Sequence, residues 1–113
     1  AFNHGNISTA IPKNLSLSLY RIVQEALHNV SKHACADHVC VSLKVAGHDH
    51  NILMSVQDDG IGFDPAEVWK KPGLGLSSMR ERVRLMQGEF SIRSHEQKGT
   101  EIVVKVPLTR KKE

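Results

Sequence analysis

Two short runs of this chain hold the residue types from which a phosphate-handling site is built. In one, Asp58-Asp59-Gly60-Ile61-Gly62-Phe63 closes the apolar run Asn51 to Gln57. A strand there delivers a carboxylate to a fixed position, while Gly60 and Gly62 permit a tight turn and let something bulky approach the main chain. Aspartate and glycine are also ordinary turn formers, so this run alone does not separate a ligand site from a plain acidic turn. In the other, Glu25, Asn29, Lys32 and His33 recur at helical spacing and share one strip of a helix surface. The strip borders the apolar face, whereas Arg21, Gln24, His28 and Ser31 turn further toward water. By itself the strip reads most simply as a solvated pairing of Glu25 with Asn29 and Lys32. Taken with the acidic run, it supplies the set needed beside a metal-bound triphosphate: a neutral oxygen for Mg²⁺, a carboxylate to take or orient a proton, and cations for phosphate oxygens. A second glycine pair, Gly73-Leu74-Gly75-Leu76, leads into another helix, whose free N–H groups favour an anion. It lacks the full Gly-x-Gly-x-x-Gly and the Lys-Ser/Thr of a P-loop, so neither a dinucleotide fold nor a P-loop is supported.

These residues need elements to position them. Pro12 to Ser18 lead into a helix over about 15–34, marked by Leu19, Val23, Ala26, Leu27, Val30 and Ala34 at three- and four-residue spacing. Residues 39–45 alternate as a strand, 46–50 turn, and 51–57 form a second strand, a hairpin that ends on Asp58. Residues 64–74, with Pro65, Pro72 and the lone Trp69, read as a loop outside regular structure and a candidate mobile lid. A second helix over about 75–87 turns Leu76, Met79, Val83 and Met86 inward, and Gly88 is its natural stop. Strands at 89–94 and 100–106, joined through 95–99, complete the order.

At 113 residues the chain is one domain with room for a single core. No apolar run approaches the roughly 18 residues of a membrane span, and aromatic residues, 4% of the chain, are too few to interleave a nucleic-acid strip. The net charge of +3, concentrated at Lys70-Lys71, Arg80 to Arg84 and Arg110 to Lys112, favours a polyanionic ligand. The chain opens on Ala1 without a signal-peptide pattern and reads as a piece excised from something longer. Two cysteines, Cys35 and Cys40, are too few for a disulfide framework and point to the cytoplasm. His33, Cys35, His38 and Cys40 offer four soft ligands across a helix end and a strand start, where convergence on zinc is not expected.

The ordered runs Leu19 to Ala34, Asp58 to Phe63, Gly73 to Arg82 and Gly99-Thr100 resemble, over nearly the whole chain, the ATP-binding catalytic domain of bacterial sensor histidine kinases. The Gln24-Glu-Ala-Leu27 wording, the Lys32-His-Ala34 helix end and the short lid are similar to the nitrate-sensor and lipid-desaturase-sensor branch. The resemblance implies a two-layer α/β sandwich of the Bergerat type, a mixed sheet with helices on one face. It implies ATP and Mg²⁺ as cofactors, with Asn29 as metal ligand and Glu25 orienting or deprotonating at the transfer step. Lys32 and His33 would approach phosphate, and Asp58 would accept the adenine amino hydrogen. Gly60 and Gly62 would let base and lid close on backbone, Gly73 and Gly75 would face phosphates, Leu76 would contact the nucleotide, and Thr100 would support Asp58 through its hydroxyl or a water. The family's phenylalanine box before the second glycine pair is absent, though Phe63 or Trp69 can pack on the lid.

His48-Asp49 and His95-Glu96 are the only histidines followed by an acidic residue, and both fall in expected hairpin connections and not on a helix of the kind that carries a phosphoacceptor. The resemblance therefore places the acceptor on an upstream dimerisation domain of the same protein, with a response regulator downstream, this domain monomeric and the full protein a homodimer. Other holders of the fold are alternatives: a serine-phosphorylating anti-sigma factor, or a gyrase or mismatch-repair ATPase. Only ten residues separate Gly62 from Gly73, short for those last two. A non-catalytic nucleotide-binding interaction module is the remaining alternative, against which Glu25 and Asn29 stand intact.

Overall fold

A computed structural model describes residues 2–4, 12–46 and 51–108. Strand β1 (Phe2–His4) precedes helix α1 (Lys13–Asn29), whose end widens into a π-helical turn at Val30–Ala34. Strands β2 (Val39–Ala46) and β3 (Asn51–Asp58) follow, then helix α2 (Leu76–Leu85), β4 (Glu89–His95) and β5 (Gly99–Pro107). The sheet order is β1-β2-β3-β5-β4. Strand β1 runs parallel to β2 and every other pairing is antiparallel, so the sheet is mixed as expected.

Side-chain alternation decides which face the helices cover. Along β3 the buried residues are Ile52, Met54, Val56 and Asp58, and the residues between them are less buried. Ile52, Met54 and Val56 form one core cluster with Leu19, Ile22 and Ala26 of α1, Leu76, Met79 and Val83 of α2, and Ile102, Val104 and Val106 of β5. Ile22, Ile52, Val83, Val104 and Val106 are fully buried, each stabilising the fold by about 1.5–3 kcal/mol. The result is two layers, helices against one sheet face.

Four details depart from the sequence reading. Strand β1 was not expected, because three residues carry too little pattern to register as a strand. Helix α1 starts at Lys13, with Ser16 N–H donating to the Pro12 carbonyl at 2.9 Å, so the polar lead-in is itself helical. The loop at 64–74 holds a short 3-10 turn at Val68–Lys70, and its Val68 and Leu74 are buried in the core. At the end of α2 it is Gln87, at φ 62°, that takes the left-handed conformation. Gly88 is instead demanded by space, since a Cβ there would lie 2.5 Å from the Lys105 carbonyl oxygen. Residues 47–50 of the expected first turn lie outside the described residues, while Ala46 belongs to β2.

Candidate functional site

Asp58 ends β3 facing the helices and is 7% exposed. Gly60 N–H donates to its Oδ1 at 2.8 Å, folding the turn back on the carboxylate. Burial raises the Asp58 pKa above the ordinary 3.8, and backbone N–H groups of Gly60 and Thr100 only partly offset this. Asp59 points the other way: its Oδ1 accepts from the N–H groups of Asp37 and His38, and its Oδ2 lies 2.9 Å from His38 Nδ1. Those bonds hold its pKa below the usual carboxylate range and tie the loop before β2 to the end of β3. The acidic pair thus divides into one buried carboxyl that faces the helices and one that ties the loop before β2 to the end of β3. A strand's twofold alternation foretells the split.

Asn29 closes α1. Its Nδ2 donates to the Leu74 carbonyl at 2.7 Å, clamping the end of the lid loop to the helix. Its Oδ1 is buried and has no hydrogen-bond partner. An orphaned buried acceptor is costly, and a cation is one partner that relieves it. Asn29 and Asp58 line one cleft, with Thr100 and Leu76, between walls formed by Ala26, Val56, Phe63, Leu74, Ile92 and Ile102. Apolar walls around a single carboxylate suit a flat aromatic base.

Glu25 lies outside that cleft, in an adjoining groove between α1 and α2 lined by Arg21, His28, Gly75, Ser78 and Arg82. Gly75 begins α2 at φ 69°, and a Cβ there would meet Glu25 Oε2 at 2.8 Å, so a glycine lets the carboxylate sit against the helix start. Gly73, at φ 84° with open space around it, is exposed on the lid.

The remaining expected residues divide. The π-helical turn interrupts the 100° periodicity on which the polar strip was drawn; Lys32 is exposed, His33 is half-buried, and neither lines the cleft. Gly62 is required by packing: at φ 66° its Cβ would collide with the His95 and Gly99 carbonyl oxygens of the β4–β5 turn. The Thr100 hydroxyl pairs with Ser94 Oγ at 2.7 Å instead of with Asp58, which Thr100 reaches through its backbone. Of the two aromatic candidates it is Phe63 that meets the lid, with Lys71 Nζ 5.9 Å over its ring, whereas Trp69, itself within the lid, packs outward, edge-on to Phe90 of β4 at 6.0 Å with the Arg80 guanidinium of α2 4.5 Å over its ring. Ser94 is the residue that sequence reasoning missed, and only its inward register on β4 signals it. Among the described residues no group of three His, Cys, Asp or Glu side chains is placed to hold a metal. No helix there is long and apolar enough to cross a membrane.

Residues 14–110 match the family described as histidine kinase-, DNA gyrase B- and HSP90-like ATPases. The chain belongs to that family. Within it, the relatives are sensor kinases. The chain is 38% identical over 109 residues to the signal transduction histidine-protein kinase/phosphatase DegS of Brevibacillus brevis, covering 96% of this chain and 27% of that protein. It is 39% identical over 107 residues to the oxygen sensor histidine kinase NreB of Staphylococcus carnosus, covering 94% of this chain and 30% of that one. It therefore spans less than a third of either relative. The histidine kinase domain of the Erythrobacter litoralis EL346 blue-light activated kinase superposes with a TM-score of 0.74 at 24% identity, over 95% of this chain and 51% of that one. That likeness establishes the fold, the expected α/β sandwich. This is a histidine kinase-type ATPase domain.

The raised pKa gives this ATPase domain a pH signature. In the adenine-acceptor role expected of Asp58 the carboxylate must be ionised, and acidification protonates a raised-pKa group before an ordinary one. Burying the charge also weakens folding above the raised value, a penalty relieved as pH falls through it. We expect ATP affinity to fall on acidification with a midpoint above the ordinary 3.8, and Asp58→Asn to remove that component. Dissociation constants measured across pH 4–7 check it; a profile identical in both proteins would show that Asp58 is not the titrating group.

Proposed function

We propose that this chain is the ATP-binding catalytic domain of a longer, cytoplasmically exposed two-component sensor kinase. It binds ATP with Mg²⁺ and donates the γ-phosphoryl group to a histidine on a separate dimerisation domain of the same protein, from which a response regulator is phosphorylated. The kinship to DegS and NreB supports this over an anti-sigma serine kinase or a non-catalytic module. The observation that carries the nucleotide reading is the orphaned Asn29 Oδ1, set in the same cleft as the buried Asp58 carboxylate.

In this reading Asp58 accepts the adenine amine and the apolar walls stack on the base. Asn29 Oδ1 holds Mg²⁺, with phosphate and water oxygens completing the shell, as suits a cation that seldom has an all-protein cage. When bound, the cation neutralises charge on the phosphates. The start of α2 after Gly75 favours anionic phosphate through its N–H groups. Glu25, beside Gly75, orients or deprotonates the incoming imidazole. Lys32 and His33, in the π-helical turn that follows Asn29, meet phosphate from solvent. The lid residue Leu74 forms one wall of this cleft beside Phe63, so motion of the lid loop widens or narrows the base site.

Asn29→Ala should abolish the Mg²⁺ dependence of ATP binding, and it also cuts the lid clamp at Leu74. Asn29→Asp separates the two roles, since it keeps an oxygen for the metal but loses the donor to the Leu74 carbonyl. Calorimetric titrations with and without Mg²⁺ check both. Full Mg²⁺ dependence in Asn29→Ala would make Asn29 a structural clamp only.

A further inference from the structure

We propose that Ser94 is a positioning residue for base selection, aiming the Thr100 hydroxyl at the ring nitrogen beside the adenine amine. The inference rests on the nucleotide reading above. Ser94, Thr100 and Asp58 stand in one row across β4, β5 and β3, since Ser94 pairs with Thr100 and Thr100 with Asp58 in register. All three belong to the helix-facing side of the sheet, and Thr100 and Asp58 line the cleft.

Ser94 is 3% exposed. Its Oγ accepts the Phe63 N–H at 2.7 Å, lies 2.7 Å from Thr100 Oγ1 and 3.3 Å from the Gly99 carbonyl oxygen. A serine has a single proton to donate. If that proton goes to Gly99, it makes a bond long for an O–H donor, and the Thr100 proton is consumed on Ser94. If it goes to Thr100 at the short distance, the Thr100 proton is released toward the cleft. The second arrangement puts a donor one register position from the Asp58 acceptor. Adenine presents the complement, an amine donor next to a ring-nitrogen acceptor. Guanine presents a carbonyl and a ring N–H at those places, opposing both protein groups. Through Phe63 N–H, the same serine also holds one cleft wall in place.

The test compares ATP with 1-deaza-ATP, which has C–H in place of that ring nitrogen, by calorimetric titration of the wild type, Ser94→Ala, Thr100→Val and the double variant. The wild type should prefer ATP by about three- to tenfold, one hydrogen bond's worth. Each single variant should bring the two ligands within about twofold, and the double variant should go no further. A Ser94→Ala protein that weakens both ligands equally and keeps the preference overturns the proposal, leaving Ser94 as support for Phe63. If Ser94→Ala does not fold, Thr100→Val decides alone, and a retained preference overturns the proposal. Asp58→Asn is run alongside. Weakened ATP binding there with a retained preference in the Ser94 and Thr100 variants defeats this proposal only, whereas unaltered binding there defeats the base-site reading itself.

Discussion

Glu25→Gln should lower phosphoryl transfer to a supplied dimerisation domain by about 10²- to 10⁴-fold, the range for a lost general base, while ATP affinity changes by less than about twofold. Glu25 is the one expected functional carboxylate that stands clear of the base cleft, in the groove shared by α1 and α2. Its Oε2 lies against the backbone of Gly75, at the start of the helix favoured by phosphate. In the proposed reaction a group there meets the reacting atoms without gripping the base, so its loss falls on the transition state. The neutral glutamine preserves shape and removes basicity. Single-turnover transfer of radiolabel, with ATP affinity measured separately, decides it. Affinity and rate falling together would reduce Glu25 to a ligand-binding group.

Gly62→Ala should destabilise the domain by roughly 3 kcal/mol or more, a large part of the margin of a domain this size. At φ 66° an alanine is strained, and its Cβ would overlap two backbone carbonyls of the β4–β5 turn, which cannot swing aside as a side chain does. Gly73→Ala is the contrast. It shares the positive φ, at 84°, but meets nothing within 4 Å, so its cost should stay near the roughly 1–2 kcal/mol of left-handed backbone alone. Urea unfolding of both variants measures the difference. Equal costs would mean that the Gly62 turn is not wedged against the β4–β5 corner.

The contrast between these glycines shows where sequence is informative and where it is not. Alternation and helical spacing reveal the helices, the two hairpins and the inward direction of Asp58, because burial on one face imposes its period directly on the residues. The same periodicity misplaces Lys32 and His33, since a π-helical turn changes the angle per residue without leaving a compositional mark. Both Gly-x-Gly pairs look alike in sequence. Yet Gly62 answers to a turn more than thirty residues away and Gly75 to a carboxylate fifty residues back, contacts that only the folded chain creates. Ser94 was unreadable for the same reason, as its partners Phe63 and Thr100 come from two other elements. The orphaned oxygen of Asn29 is likewise a property of packing, although Asn29 itself stood out by its place on the strip.

Calorimetric titration of ATP·Mg²⁺ into the wild type and Asp58→Asn tests the central claim, that this cleft is a nucleotide site, most directly. In the proposed site the buried carboxylate makes a charge-assisted bond to the adenine amine, worth about 1.5–3 kcal/mol, so its replacement should weaken binding by roughly 10- to 100-fold. Affinity unchanged by Asp58→Asn, or no binding by the wild type, would contradict the account.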